Sequence, residues 1–495
     1  MSAYTTLEQR FERLHLLRSA TDILDWDSAT MMPTGSAESR GAQMGALRVL
    51  ATELLQDPVT QALLDEADAH PPEGLMAQKN LVAMRRAWVH GAALPVRLVD
   101  ALSKAASASE MRWRRARAES DFASWAPHLE EMLTLTREVA QAKADALGTS
   151  PYDALLDEYE PGARSARLDV LFGTLARELP PLLDRVIEKQ ASWGTREPAG
   201  PFPIPLQARL SRTLATHLGF DFEHGRIDTS THPFCGGTPD DVRITTRYDE
   251  NDFLSSAMSV LHELGHAMYE QGLPRAWRKQ PVGRAPSMAI HESQSLLIEM
   301  QASRRAETVG FLHRTASLTL GDLGCSENDL LRSVRRASRG FIRVEADEVS
   351  YPLHVILRYR LERALISGDL RARDLPGAWS AGMKELLGVE PPDDRRGCLQ
   401  DIHWPGGAFG YFPTYTMGAI AASQLFAAAV RASPEIVNHL AQGSFAPLFS
   451  FLRPAVHQKG ASVTVDELLL EVTGAPLDER VFLAHLHQRY LQDPS

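Results

Sequence analysis

Cysteine is rare in this chain of 495 residues. Only three cysteines are present, and they lie far apart in the sequence: Cys235, Cys325 and Cys398. Three scattered cysteines are too few for a disulfide framework or for a zinc site built from cysteine ligands. Because such a composition is typical of proteins in a reducing compartment, we expect a cytoplasmic protein.

Long apolar runs are also lacking. No stretch approaches the about 18 consecutive apolar residues of a membrane-spanning helix. The nearest candidate, residues 417–430, is rich in alanine and contains Ser423 and Gln424, which predicts a packed core helix. Charged residues fill the N-terminal positions where a signal peptide has its apolar segment: Glu8, Arg10, Glu12 and Arg13. We therefore expect neither a membrane-spanning segment nor a signal peptide.

Runs of basic residues are absent as well. The chain carries 52 Lys and Arg against 63 Asp and Glu, which gives a formal net charge of -11. Nucleic acids and anionic membrane surfaces bind clustered positive charge, so the sequence predicts neither as a partner. The composition, 44% hydrophobic and 23% charged, is that of an ordinary globular protein.

Helical spacing of apolar residues predominates over strand patterns. The predicted helices lie at about residues 37–56, 75–91, 95–119, 127–147, 165–190, 302–320, 326–340 and 341–366. We expect an interruption near Pro180 and Pro181 and a kink at Pro352. Residues 150–162 and 397–415 are predicted as loops. Only residues 220–250 predict short strands and a hairpin, so the expected fold is mainly α with a small β-sheet.

The strongest chemical motif is His262-Glu263-Leu264-Gly265-His266, inside a helix predicted over residues 251–272. Residues four apart share a helix face, so His262 and His266 can direct two imidazoles at one metal ion. Glu263 is then placed to take a proton from water activated by that metal. Apolar residues cover most of the remaining helix surface, which predicts a buried helix with one polar face rather than two surface histidines.

A catalytic zinc usually has three protein ligands. Gly272 stands where a third histidine would follow in the extended motif, so the third ligand is expected to be a glutamate on the next helix. Glu292 and Glu299 are both candidates, and position alone does not choose between them. Glu292 stands among polar residues, whereas Glu299 follows an apolar run. We therefore prefer Glu292 as the metal ligand and Glu299 as a residue that supports the ligands from behind.

Six motifs in order make the chain resemble the carboxypeptidase Taq family of metallocarboxypeptidases. They are His232-Pro233-Phe234 (HPF), residues 241–245 (DxRxT), residues 262–266 (HExxH), residues 291–294 (HESQ), residues 342–347 (IRxxAD) and residues 397–404 (GxxQDxHW). The motifs span about 170 residues, and Trp26-Asp27 with Met31-Met32-Pro33 also resembles the family's N-terminal region. No motif position departs from the pattern.

The resemblance implies a zinc site of His262, His266 and Glu292, with Glu263 as general base. It also implies removal of single C-terminal amino acids with broad specificity, an almost all-helical fold with a deep groove, and a homodimer. Cobalt can replace zinc in this family. We accordingly expect residues 1–495 to form one peptidase unit, in which residues 1–195 are a helical wall or lid and residues 205–495 the catalytic subregion.

An exopeptidase must also bind the free carboxylate of its substrate, which arginine does best. Arg343 is the first candidate and Arg243 the second, although an arginine near Glu345, Asp347 and Glu348 can instead form a structural ion pair. The oxyanion needs a hydrogen-bond donor opposite Glu263. The candidates come from the predicted loop 397–415, which is rich in aromatic residues: His403, Tyr411 and Tyr415.

Two alternatives remain beside a zinc carboxypeptidase. The first is an oligopeptidase or dipeptidase with the same HExxH chemistry, which would cut inside short peptides and leave the arginines with structural roles. The second is a helical binding protein with a structural zinc. Glu263 argues against the second, because a structural site needs no general base and normally has four protein ligands.

Overall fold

The computed structural model describes residues 2–492 and every side chain among them except that of Val96. Its first part is helical. The helices before the sheet are α1 (Ala3–Thr30), α2 (Ala37–Gln56), α3 (Pro58–Ala69), α4 (Leu75–Ala92), α5 (Val96–Glu119), α6 (Phe122–Leu147), α7 (Pro151–Tyr159), α8 (Ser165–Gln190) and α9 (Ile204–Leu218). Most begin close to the residues expected from apolar spacing, and the mainly α fold is confirmed.

Three strands follow α9 and form one small sheet. They are β1 (Gly225–Thr229), β2 (Cys235–Thr238) and β3 (Asp241–Thr246). β3 is central: β1 pairs with it in parallel, with Gly225 opposite Val242, and β2 pairs with it as the predicted antiparallel hairpin. Val242 and Ile244 of β3 are fully buried, and β3 packs against the helix that carries the HExxH motif.

Helices again form the rest of the chain. They are α10 (Phe253–Gly272), α11 (Met288–Leu296), α12 (Ala306–Leu320), α13 (Glu327–Val334), α14 (Tyr351–Ser367), α15 (Leu375–Leu387), α16 (Pro413–Ala432), α17 (Ile436–Ala441), α18 (Ala446–Ala455), α19 (Val465–Thr473) and α20 (Glu479–His487). Two π-helices, Leu297–Ser303 and Gln488–Gln492, continue α11 and α20. As predicted, residues 417–430 lie in a core helix, α16.

Residues 150–162 are largely helical, so the predicted loop is wrong. Ser150 caps α7 by accepting the N–H of Asp153 at 3.2 Å, and Pro151 stands at the first helical position, where its missing N–H costs nothing. Leu155 and Leu156 are buried in the main core, and this packing outweighs the loop-like polarity of the segment.

Two further helix boundaries differ from expectation. α8 continues through Pro180 and Pro181, because the buried side chains around them hold the helix against the core. Residues 341–350 form no α-helix: beyond the short 3₁₀ turn Arg343–Glu345, the carboxylate of Asp347 accepts the backbone N–H groups of Ser338, Val349 and Ser350 and stabilises an irregular turn. α14 therefore starts later than predicted, and Pro352 lies in its first turn instead of kinking it.

Buried apolar residues form two clusters. The smaller one joins α1, α2, α3 and α4, and the larger one extends from α5 to the C-terminal helices and includes the sheet and α10. Within residues 2–492, no helix combines the length and apolar character needed to cross a membrane. The expected subregions, residues 1–195 and 205–495, stay a prediction.

Candidate active site

α10 holds the HExxH motif inside the main core. Asp252 caps the helix by accepting the N–H of Ser255 at 3.0 Å. Apolar side chains on its other faces, including Phe253, Val260 and Leu264, are fully buried. The polar face of α10 is therefore enclosed by protein, where polar groups require partners.

α11 lies directly against that polar face. Ser287 caps it by accepting the N–H of Ile290 at 3.1 Å. A Cβ atom on Gly265 of α10 would lie 2.5 Å from the carbonyl oxygen of Gln294, and one on Gly418 of α16 would lie 2.9 Å from the side chain of Glu292. The two glycines thus permit α10, α11 and α16 to pack closely around Glu292.

Three of the predicted site residues converge at this contact. Ligand atoms of His262, His266 and Glu292 all lie within 4.8 Å of one another, and Nε2 of His266 is 3.4 Å from Oε2 of Glu292. Such a group of two imidazoles and one carboxylate is a donor set that zinc accepts. The structure therefore brings together the three residues predicted as metal ligands.

The Nδ1 atoms of both imidazoles point away from the ligand cluster and are hydrogen-bonded to other residues. Nδ1 of His262 lies 3.0 Å from Oε2 of Glu299, and Nδ1 of His266 lies 3.1 Å from the carbonyl oxygen of His291. Both partners accept hydrogen bonds, so each Nδ1 is a donor and each Nε2 is the nitrogen left to bind a metal ion. This arrangement fits a divalent metal ion between the two Nε2 atoms and Glu292.

Glu299 lies behind His262, apart from the converging ligand atoms. It belongs to the π-helix Leu297–Ser303, in which each residue turns less about the axis than in an α-helix. Besides His262, its carboxylate binds Arg304 at 2.7 Å. Glu292 thus lies in the ligand cluster, and Glu299 lies on the far side of the His262 imidazole.

The cluster carries a negative field that favours a cation. Burial lowers the pKa of His262, but the hydrogen bond with Glu299 and the charges of Glu292 and Glu263 outweigh it and raise that pKa to about 10. Burial and the nearby imidazole of His291 lower the pKa of His266 to about 4. A metal ion would compensate the buried carboxylates.

Glu263 is buried, and its carboxylate forms no hydrogen bond or ion pair with other residues in the described range 2–492. Burial raises its pKa to about 7, while the charge of His262 opposes this shift. A buried carboxylate that remains available for a proton near neutral pH is suited to general acid–base chemistry.

The aromatic loop, residues 397–412, forms a wall beside the cluster. Nε2 of His403 lies 3.0 Å from the hydroxyl of Tyr415, and the ring of Tyr411 lies 5.2 Å from that of Tyr415. Burial and the charge of Arg343 lower the pKa of His403 to about 3, so this imidazole is neutral. Burial raises the pKa values of Tyr411 and Tyr415, and the charge of Glu292 adds to both shifts, which agrees with their lying near the ligand cluster.

Arg343 is buried next to this wall. Its guanidinium binds Asp401 at 2.9 Å, donates to the hydroxyl of Tyr351 at 3.2 Å, and lies 4.7 Å from the ring centre of Tyr415. Asp401 also accepts a hydrogen bond from Arg358 at 2.6 Å. Two arginines sharing one carboxylate leave a net positive charge in the wall, and the sequence did not single out Arg358.

Arg243 has different surroundings. It lies on β3 and makes a bidentate pair with Asp241, at 3.0 and 2.7 Å, and its guanidinium stacks on Trp26 of α1 at 4.3 Å. Asp241 takes Nε and Nη2 of Arg243, just as Asp401 takes Nε and Nη2 of Arg343, so free donors do not decide between the two arginines. A further aromatic contact, Tyr159 of α7 with Tyr411 at 5.0 Å, was missed because α7 was predicted as a loop.

Comparison with known proteins agrees with this geometry. The family model for the carboxypeptidase Taq (M32) metallopeptidases matches residues 6–490. The chain is 38% identical to thermostable carboxypeptidase 1 of Thermus thermophilus, over 99% of this chain and 98% of the relative. It is 32% identical to carboxypeptidase 1 of Bacillus subtilis, over 98% of each chain.

Solved structures show the same fold. Metallocarboxypeptidase 1 of Trypanosoma cruzi superposes with a TM-score of 0.97 at 39% identity, covering 99% of each chain. The M32 carboxypeptidase of Deinococcus radiodurans R1 gives a TM-score of 0.91 at 32% identity, over 99% of this chain and 98% of that one. The chain therefore belongs to the carboxypeptidase Taq (M32) family and is a metallocarboxypeptidase, a peptide hydrolase.

Proposed function

We propose that this enzyme releases single C-terminal amino acids from peptides, with broad side-chain specificity, at a zinc ion held by His262, His266 and Glu292. One observation carries the proposal: the ligand atoms of these residues lie within 4.8 Å of one another, beside the unpaired carboxylate of Glu263. Cobalt is an expected substitute, because it accepts the same nitrogen and oxygen donors.

The divalent ion supplies Lewis-acid activation of the water and of the scissile carbonyl. Glu263 accepts the proton of the attacking water and delivers it to the leaving amine. Its burial supports this role, since a pKa of about 7 suits both halves of the transfer. Glu299 holds the imidazole of His262 in the required tautomer, and the carbonyl of His291 does the same for His266.

His403 and Tyr415 are proposed to stabilise the oxyanion, and Tyr411 to contact the substrate beside them. Burial raises the pKa of Tyr415 to about 12, so its hydroxyl remains a donor at neutral pH. His403 is neutral and is hydrogen-bonded to that hydroxyl. With Nε2–H of His403 donating to the oxygen of Tyr415, the hydroxyl hydrogen of Tyr415 is free to face the developing negative charge.

Arg343 is proposed as the residue that binds the terminal carboxylate, with Arg243 as second candidate. Asp401 neutralises only one of the two arginines that bind it, and the remaining positive charge attracts a carboxylate. The ring of Tyr415 places this charge next to the proposed oxyanion donors. The homodimer, the cytoplasmic location and the lid role of residues 1–195 are also proposals, supported by the family resemblance and the cysteine content.

The comparisons favour a carboxypeptidase over the oligopeptidase alternative, since the relatives are named carboxypeptidases. A mass-spectrometric time course tests the difference on one N-blocked peptide, prepared as free acid and as C-terminal amide, with and without chelator. We expect a ladder that loses one residue at a time from the free acid alone and disappears with chelator. Internal cuts in both peptides would instead establish an oligopeptidase.

Adding stoichiometric zinc to the metal-free enzyme tests the cofactor. We expect activity to return, with the bound metal measured by mass spectrometry. Restoration by another divalent ion but not by zinc or cobalt would refute the zinc assignment. Peptides that differ only in the terminal residue measure the proposed broad specificity.

A further inference from the structure

Glu362 joins three segments around one buried carboxylate. It lies in α14, has no exposed surface, and belongs to none of the six family motifs. Its Oε1 accepts a hydrogen bond from Nε1 of Trp404 at 2.9 Å. Its Oε2 accepts hydrogen bonds from the hydroxyl of Tyr152 at 3.0 Å and from the backbone N–H of Gly410 at 3.2 Å.

Two of these donors lie next to proposed site residues. Trp404 directly follows His403, and Gly410 directly precedes Tyr411. Glu362 therefore binds the aromatic loop on both sides of residues 405–409, next to His403 at one end and next to Tyr411 at the other. The ring of His403 also packs on Phe412, which is buried, at 4.3 Å, so the loop cannot shift without disturbing this imidazole.

The same carboxylate fixes the loop against α7. Tyr152 belongs to α7, and a Cβ atom on Gly410 would lie 2.8 Å from the carbonyl carbon of Leu155 in that helix. Gly410 has a φ of +87°, a conformation that favours glycine. The backbone of the loop thus lies close to that of α7, and Glu362 accepts one hydrogen bond from each: from Gly410 of the loop and from Tyr152 of α7.

A carboxylate suits this position because all three partners are donors. An ionised carboxylate accepts up to about four hydrogen bonds and donates none, whereas an amide or a protonated acid also presents a hydrogen. Burial raises the pKa of Glu362 to about 7, while the three donors and the charge of Arg358 favour its ionised form. Removing the acceptor would leave buried donors unpaired.

We propose that Glu362 is a positioning residue for the peptidase reaction, which acts by holding His403 and Tyr411 against the metal site through Trp404 and Gly410. The inference rests on the proposed function, because it takes the roles of His403 and Tyr411 from it. It predicts that Glu362 affects turnover without contacting the metal or the peptide.

The first test is Glu362→Gln in the full-length, zinc-loaded enzyme. The variant keeps the shape of the side chain but turns an NH₂ group toward the donors. We expect kcat on a free-acid peptide to fall about tenfold or more, with a smaller rise in KM through Tyr411 and with unchanged metal content. Tyr152→Phe is the matched control, since it removes the α7 donor and leaves both loop hydrogen bonds. It should lower the unfolding midpoint but keep kcat within about twofold.

Double variants separate positioning from general stability. In the His403→Ala and Tyr411→Phe backgrounds, Glu362→Gln should add little further loss, because it acts through those residues. The inference would be overturned if the kcat losses of the single variants multiplied in the double variants. It would also be overturned if Tyr152→Phe lost as much kcat as Glu362→Gln. If Glu362→Gln does not fold, Trp404→Phe removes one loop donor while keeping an aromatic ring, and the same non-additivity is expected.

The outcomes also separate this inference from the proposed function. Wild-type activity in both His403→Ala and Tyr411→Phe would remove the roles proposed for those residues, and the inference with them. Reduced activity in those variants together with normal kcat in Glu362→Gln would overturn the inference alone.

Discussion

Nδ1 of His262 lies 3.0 Å from Oε2 of Glu299, whose other oxygen binds Arg304 at 2.7 Å. The imidazole is thereby held in one orientation from behind. Glu299→Gln removes the charge that this orientation depends on, so we expect zinc affinity to fall about 10- to 100-fold, measured by competition with a chelator. Glu188→Gln on the exposed face of α8 is the control, and equal affinities in the two variants would contradict the assignment.

Glu263→Gln should keep the metal and lose turnover. The amide matches the carboxylate in shape but cannot accept the proton of the attacking water, so we expect kcat to fall by about 10² to 10⁴. Metal content, measured by mass spectrometry, should equal that of the wild type. A variant that retains most of its activity would exclude Glu263 as general base.

Arg343→Ala should weaken recognition of the free carboxylate. Asp401 keeps its hydrogen bond to Arg358, so the substitution leaves no unpaired buried acid. We expect kcat/KM for the free-acid peptide to fall about 10- to 100-fold, the loss of a charged hydrogen bond, with little change for the amide. Arg243→Ala, measured in parallel, should have the smaller effect. An unchanged ratio between the two peptides in Arg343→Ala would identify its pairing as structural.

Glu160 predicts a pH dependence of stability. This buried carboxyl accepts the N–H of Ala289 at 2.5 Å in the first turn of α11, and burial raises its pKa to about 8. The folded state therefore keeps a proton that the unfolded chain releases near pH 4.5, so the free energy of unfolding falls as pH rises from about 5 to 8. Glu160→Gln removes this dependence.

The difference in the free energy of unfolding between Glu160→Gln and the wild type should grow by up to roughly 4 kcal/mol in favour of the variant as the pH rises from 5 to 8. This is the value expected for a pKa shift of this size. Denaturant unfolding at several pH values measures the difference. A difference that stays constant over this range would show that Glu160 ionises with its ordinary pKa.

Local patterns predicted much of the metal site. The spacing of His262 and His266 on one helix follows from a short-range rule that holds in the structure. The choice between Glu292 and Glu299 did not follow from spacing, because both lie on one continuous element and the change from α- to π-helix occurs between them.

Long-range pairing was beyond the sequence. The sequence left the partner of Arg343 open, with nearby acids such as Glu345 as possible structural partners, and in the structure Arg343 shares Asp401 with Arg358. The segment around Asp347 was predicted as helix because its local composition carries no signal of the backbone N–H groups that this carboxylate accepts.

The contacts at Gly265 and Gly418 limit how this metal centre can be redesigned. A single added carbon at either position would meet the backbone of α11 or the side chain of Glu292. The separation between the helices that carry the ligands is therefore determined by close contact at these two glycines. Exchanging ligands for longer or shorter ones would change the donor atoms but not the spacing of the helices. Engineering the site for an ion of different size consequently requires repacking α10, α11 and α16 together.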